Sequence, residues 1–336
     1  MDGFRPAATA YRRRRDPELA EGFRKDPAEE SFLEGLNAAL GPFEEEGCRD
    51  LPERLPTLHV VGAPRSGTTL LYQVIASGLE IGYVNNLVAA FWLAPVTGVR
   101  LSRKLGLDAA SGSSFDSSFG RTEGLGEPHE WGYFWNHHLR YPDLAERGPG
   151  HEELIDWAVL RRVLVNMAEA GGRPMAFKPM LLIWHLEAML RHMPRTCFVW
   201  IRREPRDTAL SILRMRRSLL GSYDDWASLR PRDAPAGATP WEQVAAQVVL
   251  LERVLEGAAA RLGPDHVLPV RYERLCAEPG AVLREIRDMM GAKGFAPALR
   301  PGEIPAFRER RNPALEAEFG ARVDAALARH RQASAR

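Results

Sequence analysis

Apolar residues recur in two rhythms along the chain. Short continuous apolar runs fall at 58–63 (LHVVGA) and 197–202 (CFVWIR), with weaker ones at 174–178 (PMAFK) and 266–273 (HVLPVRYE). Runs of this length, bounded by glycine, proline or charge, read as buried strands. Between them the rhythm changes to a helical period. Leu70, Leu71, Val74 and Ile75 follow the first strand, and a helix from Arg206 to about Leu220 follows the second. Leu154, Trp157, Leu160, Leu164 and Met167 predict a helix over about 152–169. Phe32, Leu33, Leu36 and Leu40 predict a small helix packed by that face on the main domain. The clearest helix start is Thr239-Pro240-Trp241-Glu242. Thr239 caps, Pro240 suits the first turn and Glu242 completes a capping box, ahead of the stripe Val244, Val248, Leu251 and Leu255.

Strands alternating with helices predict an α/β fold. The expected form is a P-loop-like three-layer fold with a central, mainly parallel sheet flanked by helices. The chain divides into a polar N-terminal arm and helix at 1–50, an α/β domain at 51–300, and a C-terminal loop and helix at 301–336. Two segments interrupt the alternation. Residues 108–150 are rich in glycine, serine and aromatics, and 221–239 reads as a long loop whose length and composition fit a lid.

Composition narrows the function. Of 336 residues, 45 are Lys or Arg and 44 Asp or Glu, a formal charge of +1. That balance excludes nucleic acid as the main partner, so anion binding rests on local basic sites. Cys48, Cys197 and Cys276 are odd in number and far apart, which predicts reduced thiols and a cytoplasmic protein. The N-terminus carries no apolar stretch after its basic run, and no apolar run approaches the ~20 residues of a membrane span. Arg12 to Arg15 read as a solvated arm. His137, His138, His185 and His192 lack any metal-ligand spacing and read as surface or core residues, so no metal is expected.

The sharpest chemical signal is Gly62-Ala63-Pro64-Arg65-Ser66-Gly67-Thr68-Thr69, which follows a strand and opens a helix. Glycines permit tight turns, successive amides point inward, and a helix start favours anions, so this segment is a candidate phosphate cradle. Ser66, Thr68 and Thr69 add hydroxyls. The spacing matches a Walker loop except that Thr68 stands where that loop has its Lys, and the basic residue is Arg65. Ordinary nucleoside-triphosphate hydrolysis is disfavoured by that change.

The segment resembles the 5′-phosphosulfate loop of sulfotransferases that use 3′-phosphoadenosine 5′-phosphosulfate (PAPS), in the P-R-S-G-T-T form carried by many bacterial and Golgi members. A second stretch, Arg203-Glu204-Pro205-Arg206-Asp207-Thr208-Ala209-Leu210-Ser211, resembles that family's 3′-phosphate motif. Arg203 can fork onto a phosphate and Ser211 adds a hydroxyl donor. Val270-Arg271-Tyr272-Glu273-Arg274-Leu275 is similar to a late family segment whose Tyr helps hold the nucleotide, which implies that role for Tyr272. Lys178 sits where the family places a basic residue. Cytosolic members read K-T-H-L-P there; this chain reads Lys178-Pro179-Met180 and lacks their catalytic His. The resemblance spans roughly residues 57–295.

What it implies is transfer of a sulfuryl group from PAPS to a hydroxyl, or less readily an amine, of a small-molecule, lipid or glycan acceptor. The products are the sulfated acceptor and adenosine 3′,5′-bisphosphate (PAP), with no metal required. Arg65, the loop amides, Thr68 and Lys178 suit neutralisation of the leaving phosphate. A general base takes the acceptor proton. Where tyrosine-protein sulfotransferases have their catalytic Glu, this chain has Asn85 and Asn86, which cannot act as bases. The substitute region is Gly126-Glu127-Pro128-His129-Glu130-Trp131-Gly132, with Glu127 and Glu130 ranked ahead of His129. Trp131 and its aromatic neighbours read mainly as core. Some family members close a basic C-terminal loop over the nucleotide, but Arg308, Arg310 and Arg311 read here as a solvated charge run. Two other functions fit the same loop: a P-loop small-molecule kinase, and a nonenzymatic PAP or nucleotide sensor.

Overall fold

The computed structural model describes Thr9, Arg12, residues 14–107 and residues 113–333. Part of the expected N-terminal arm (1–8, 10, 11 and 13), part of the first interrupting segment (108–112) and the C-terminal residues 334–336 lie outside the described residues.

Five strands form one sheet: β1 (Thr57–Val61), β2 (Gly82–Tyr83), β3 (Met175–Phe177), β4 (Cys197–Arg202) and β5 (Val267–Arg271). Their order is β2-β3-β1-β4-β5, and every pairing is parallel. The two-residue β2 is a strand beyond the four that the sequence predicts. The helices are α1 (Pro27–Gly47), α2 (Thr68–Gly78), α3 (Asn86–Ala89), α4 (Pro95–Lys104), α5 (Gly132–His138), α6 (Trp157–Gly171), α7 (Leu186–His192), α8 (Pro205–Leu220), α9 (Pro240–Leu262), α10 (Tyr272–Ala277), α11 (Pro279–Ala292) and α12 (Pro313–Ala333).

Strand side chains alternate between faces, and each face buries its own helices. Leu58, Val60, Cys197, Val199 and Ile201 pack on α2 and α11. Val61, Phe198 and Trp200 pack on α6, α7 and α9. This is the three-layer arrangement. The capping box at Thr239 is formed: the Glu242 carboxylate accepts from the Thr239 amide at 3.2 Å. His59 is wholly enclosed, stacked on Phe177 at 5.2 Å, and burial pushes its pKa down to about 3, so it is a neutral core residue.

The parallel sheet has one functional consequence. The carboxyl ends of all five strands lie along one edge, and β1 sits between β3 and β4, which run outward in opposite directions of the sheet order. Ligands bind outside such a switch point. The residues that leave this edge are Gly62–Gly67 after β1, Lys178 after β3, Arg203 after β4 and Tyr272 after β5.

Three expectations are corrected. Helix α1 is longer than predicted, and its buried positions are Glu30, Asn37 and Glu44, while Phe32 is 62% exposed. The seven-residue spacing puts these polar groups on one face, where each meets a polar partner. Asn37 donates to the Ala90 carbonyl at 2.7 Å and accepts from the Leu93 amide at 2.8 Å. Glu44 caps α4, accepting from the amides of Val96 and Thr97 and from the Thr97 hydroxyl at 2.8 Å. Second, α6 begins at Trp157, and Leu154 is exposed in the preceding turn. Third, the described part of the N-terminal arm is docked. Arg15 donates to the Trp226 carbonyl at 2.9 Å, and Ala20 donates its amide to Leu219 at 2.8 Å.

Replacing Glu44 by Ala leaves the start of α4 without its acceptor. Unmade hydrogen bonds of this kind cost about 1–3 kcal/mol. Urea unfolding should show a lower midpoint for Glu44→Ala and partial recovery in Glu44→Gln.

Candidate active site

The loop after β1 turns twice through left-handed backbone, at Arg65 (φ 69°) and at Gly67 (φ 106°). Gly67 has no alternative, because a Cβ there would lie 2.5 Å from the Tyr272 ring. The Ser66 hydroxyl is buried and donates to the Ala63 carbonyl at 2.7 Å, so it braces the turn. Thr68 and Thr69 begin α2, whose amides face the loop.

Arg65 donates through Nε to the Ser211 hydroxyl at 3.2 Å, and its guanidinium lies 5.3 Å from the Phe119 ring. Arg203 donates to the Arg65 carbonyl at 3.3 Å and to the Arg310 carbonyl, and it stacks over Tyr272 at 4.6 Å. Its Nε is buried without a partner. The Tyr272 hydroxyl accepts from the Arg310 amide at 3.4 Å. Burial, together with the neighbouring Arg203, Arg214 and Arg310, pushes the Arg65 pKa down to about 10. Six arginines, Arg65, Arg203, Arg214, Arg308, Arg310 and Arg311, thus border a cavity of about 400 Å³. Such a concentration of positive charge is complementary to a polyanion.

Arg214, Arg308, Arg310 and Arg311 join the two arginines that the sequence assigns to the site. Arg214 lies one helical turn beyond Ser211, a spacing that was available in the sequence. Arg310 belongs to the segment 307–312, which borders the cavity with its outer side in solvent. It is tied down by the Phe307 amide to the Cys276 carbonyl at 2.8 Å and by Arg203. Arg308, Arg310 and Arg311 are exposed, as expected of a solvated run, and they also line the rim of this cavity.

Beside this cavity is a second, of about 530 Å³, and Phe119 lines both. The two meet at a polar chain centred on the buried Lys178. Lys178 Nζ lies 3.0 Å from Thr69 Oγ1, on the first cavity, and 2.8 Å from Glu130 Oε2, on the second. The Lys178 side chain is only 3% exposed. Gly120 (φ 91°) covers the pair: a Cβ there would lie 3.4 Å from Glu130 Oε2 and 3.8 Å from Lys178 Nζ. Burial opposes ionisation of Glu130, but the Lys178 ammonium overcomes it and holds the carboxyl below its ordinary range.

The three acidic and imidazole candidates separate in space. Glu130 faces the second cavity. Glu127 points to the loop at 113–114, accepting from the Ser113 hydroxyl at 2.5 Å and the Ser114 amide at 2.6 Å, and it lines neither cavity. His129 uses its Nδ1 lone pair to accept from the Trp131 amide at 2.9 Å, and burial pushes its pKa down to about 4. The proton of the neutral ring is therefore on Nε2, which makes it a donor rather than a base. The segment 221–239 forms part of the second cavity's wall through Ala227 and Ser228. Gln247 holds it by donating to the carbonyls of Ala227 at 3.2 Å and Leu229 at 2.6 Å, and Arg216 is buried against Trp226.

Comparison with family models identifies one family. The family model described as "Sulfotransferase family" matches residues 56–297. No curated protein matches the chain significantly. Among solved structures, the chain is similar to sulfotransferase STF1 from Mycobacterium tuberculosis H37Rv, at 16% identity and a TM-score of 0.50 over 84% of this chain and 80% of that one. It is also similar to sulfotransferase STF9 from Mycobacterium avium, at 14% identity and a TM-score of 0.49 over 92% of this chain and 87% of that one. At 16% identity the likeness to STF1 is one of fold. No helix among the described residues is long and apolar enough to cross a membrane.

Proposed function

Since the chain belongs to the sulfotransferase family, we propose that it moves the sulfuryl group of PAPS to a hydroxyl of an acceptor bound in the second cavity. The observation that carries this reading is the chain Thr69–Lys178–Glu130, which joins a strongly basic cavity to a largely apolar one. A group transferred between two molecules needs such a junction.

The fit to the donor rests on the cradle. The left-handed turn at Gly67, the amides at the start of α2 and the Arg65 guanidinium suit the 5′-phosphosulfate. Arg203, with a buried Nε to spare, and Ser211 suit the 3′-phosphate. Arg214 and Arg310 add charge to the same cavity. Phe115 and Phe307, whose rings are 5.1 Å apart on its wall, offer the nucleobase an apolar face.

The donor supplies the sulfuryl group, which passes to the acceptor oxygen as its bond to the 5′-phosphate oxygen breaks. Glu130 is ionised at neutral pH and takes the hydroxyl proton. Lys178 then has two tasks: it keeps Glu130 charged where partial burial opposes that, and its ammonium offsets negative charge building on the donor side. Preorganised charge of this kind needs no rearrangement during the reaction. Arg65 and the loop amides act on the same developing charge.

Calorimetric titration with PAP, beside ADP and ATP, with and without Mg²⁺, tests the donor assignment. The expected result is metal-independent binding of PAP in preference to both. Preference for ATP with a requirement for Mg²⁺ would overturn the reading in favour of a kinase. Bound PAP without turnover of any phenol or alcohol would favour a sensor.

A further inference from the structure

The second cavity differs chemically from one end to the other. Leu19, Leu33, Trp92, Leu144 and Leu219 give it apolar walls, and its volume of about 530 Å³ suits a small organic molecule. Four cations also reach it, and three of them have a carboxylate. Arg12 pairs with Asp16 at 3.2 Å, Arg15 with Glu18 at 2.9 Å, and Lys25 with Glu30 at 2.6 Å.

Arg121 is the exception: it is in no ion pair among the described residues. Its guanidinium donates to the Phe23 carbonyl and lies 5.2 Å from the Phe23 ring. Arg12 donates to the same carbonyl at 2.6 Å. Two guanidiniums therefore converge on one neutral oxygen at the cavity wall. Burial, and then the Arg12 charge, lower the Arg121 pKa against the opposing influence of Asp16, Tyr133 and Glu130. Arg121 also follows Gly120, the residue packed against Glu130 and Lys178, so it adjoins the place where the acceptor would lose its proton.

We propose that the acceptor is an apolar hydroxy acid whose carboxylate is held by Arg121 while its hydroxyl meets Glu130. This rests on the second cavity being the acceptor site. A carboxylate would fork onto the half-buried guanidinium and form the ion pair that the protein itself does not supply. The apolar walls would cover the body of the molecule, and the neighbouring pairs at Arg12 and Lys25 would stay intact. Arg121 is a specificity residue here, acting on the substrate rather than on the reacting atoms.

The test uses two matched pairs: ω-hydroxydodecanoate and its methyl ester, and para-hydroxyphenylpropanoate and its methyl ester. Turnover is measured with PAPS, and PAP affinity is measured on each protein as a check on the donor site. At least one acid should exceed its ester by about tenfold or more in kcat/KM, the effect of about 1.4 kcal/mol. In Arg121→Gln that ratio should fall toward one, with part of it restored in Arg121→Lys. Equal or better use of the esters by the wild type would overturn the proposal. So would a ratio unmoved in Arg121→Gln when that variant still binds PAP. Failure of all four compounds to react, with PAP bound, would overturn it while leaving the donor assignment standing. Failure of PAP to bind would instead remove the sulfotransfer reading on which it rests.

Discussion

Glu130→Gln should lower kcat by about 10²–10⁴, the range in which a positioned general base contributes. The substitution keeps the shape of the side chain and an oxygen for Lys178, so the junction stays assembled while the base is lost. PAP affinity should be retained, because Glu130 faces the other cavity. The pH profile supplies a second signature. Lys178 holds the Glu130 carboxyl below its ordinary range against the opposing effect of burial. The wild-type rate should therefore stay level as pH falls through the ordinary carboxylate range near 4.3 and drop only below it. Stability follows the same sign. A depressed folded-state pKa contributes stability above the unfolded value, and that contribution is lost as pH falls through the folded one. Acidification should thus cost the wild type more than Glu130→Gln. The checks are kcat against pH and urea midpoints at neutral and acidic pH. Wild-type turnover by Glu130→Gln would remove Glu130 as the base.

Arg203→Ala should weaken PAP binding by about ten- to a hundredfold or more, since hydrogen bonds to charged groups are each worth about 1.5–3 kcal/mol. Arg203→Lys should restore only part of this, because an ammonium cannot reproduce the planar fork. The loss has an internal component as well. Arg203 ties the loop after β1 to the 307–312 segment through the carbonyls of Arg65 and Arg310. Without it, that segment loses a fastening, and limited proteolysis within 303–312 should quicken. Calorimetry with PAP and a proteolysis time course measure the two effects separately. Unchanged affinity in Arg203→Ala would exclude Arg203 from the donor site.

How far the sequence discloses this site follows from the range of the forces that build it. The loop at 62–69 and the turn at 203–205 are legible because their constraints are local: a strand end, a left-handed glycine, a helix start. Lys178 is legible for the same reason, as a cation ending a short apolar run. Parallel pairing then brings β1, β3 and β4 side by side, so three local signals become one site. The choice among Glu127, His129 and Glu130 is different. It depends on which way each side chain turns within four residues of irregular backbone, and no periodicity governs that. The closure of the donor cavity by Arg310 is harder still, since its partners Arg203 and Tyr272 are 107 and 38 residues away. Helix α1 misleads for another reason. Its buried face is polar, and Glu30, Asn37 and Glu44 look like solvent positions until their partners are seen.

The docked N-terminal segment gives the second cavity walls that the first lacks. The walls of the second include Arg12, Leu19, Lys25 and Leu33, all ahead of the stretch 56–297 that matches the family model. The loop, Lys178, Arg203 and Tyr272 all fall inside that stretch. Part of what would choose the acceptor is thus carried by a different length of chain from what would grip the donor. Evolution, or a protein engineer, can redraw the first few dozen residues and alter which molecule is modified while the activation chemistry stays as it was.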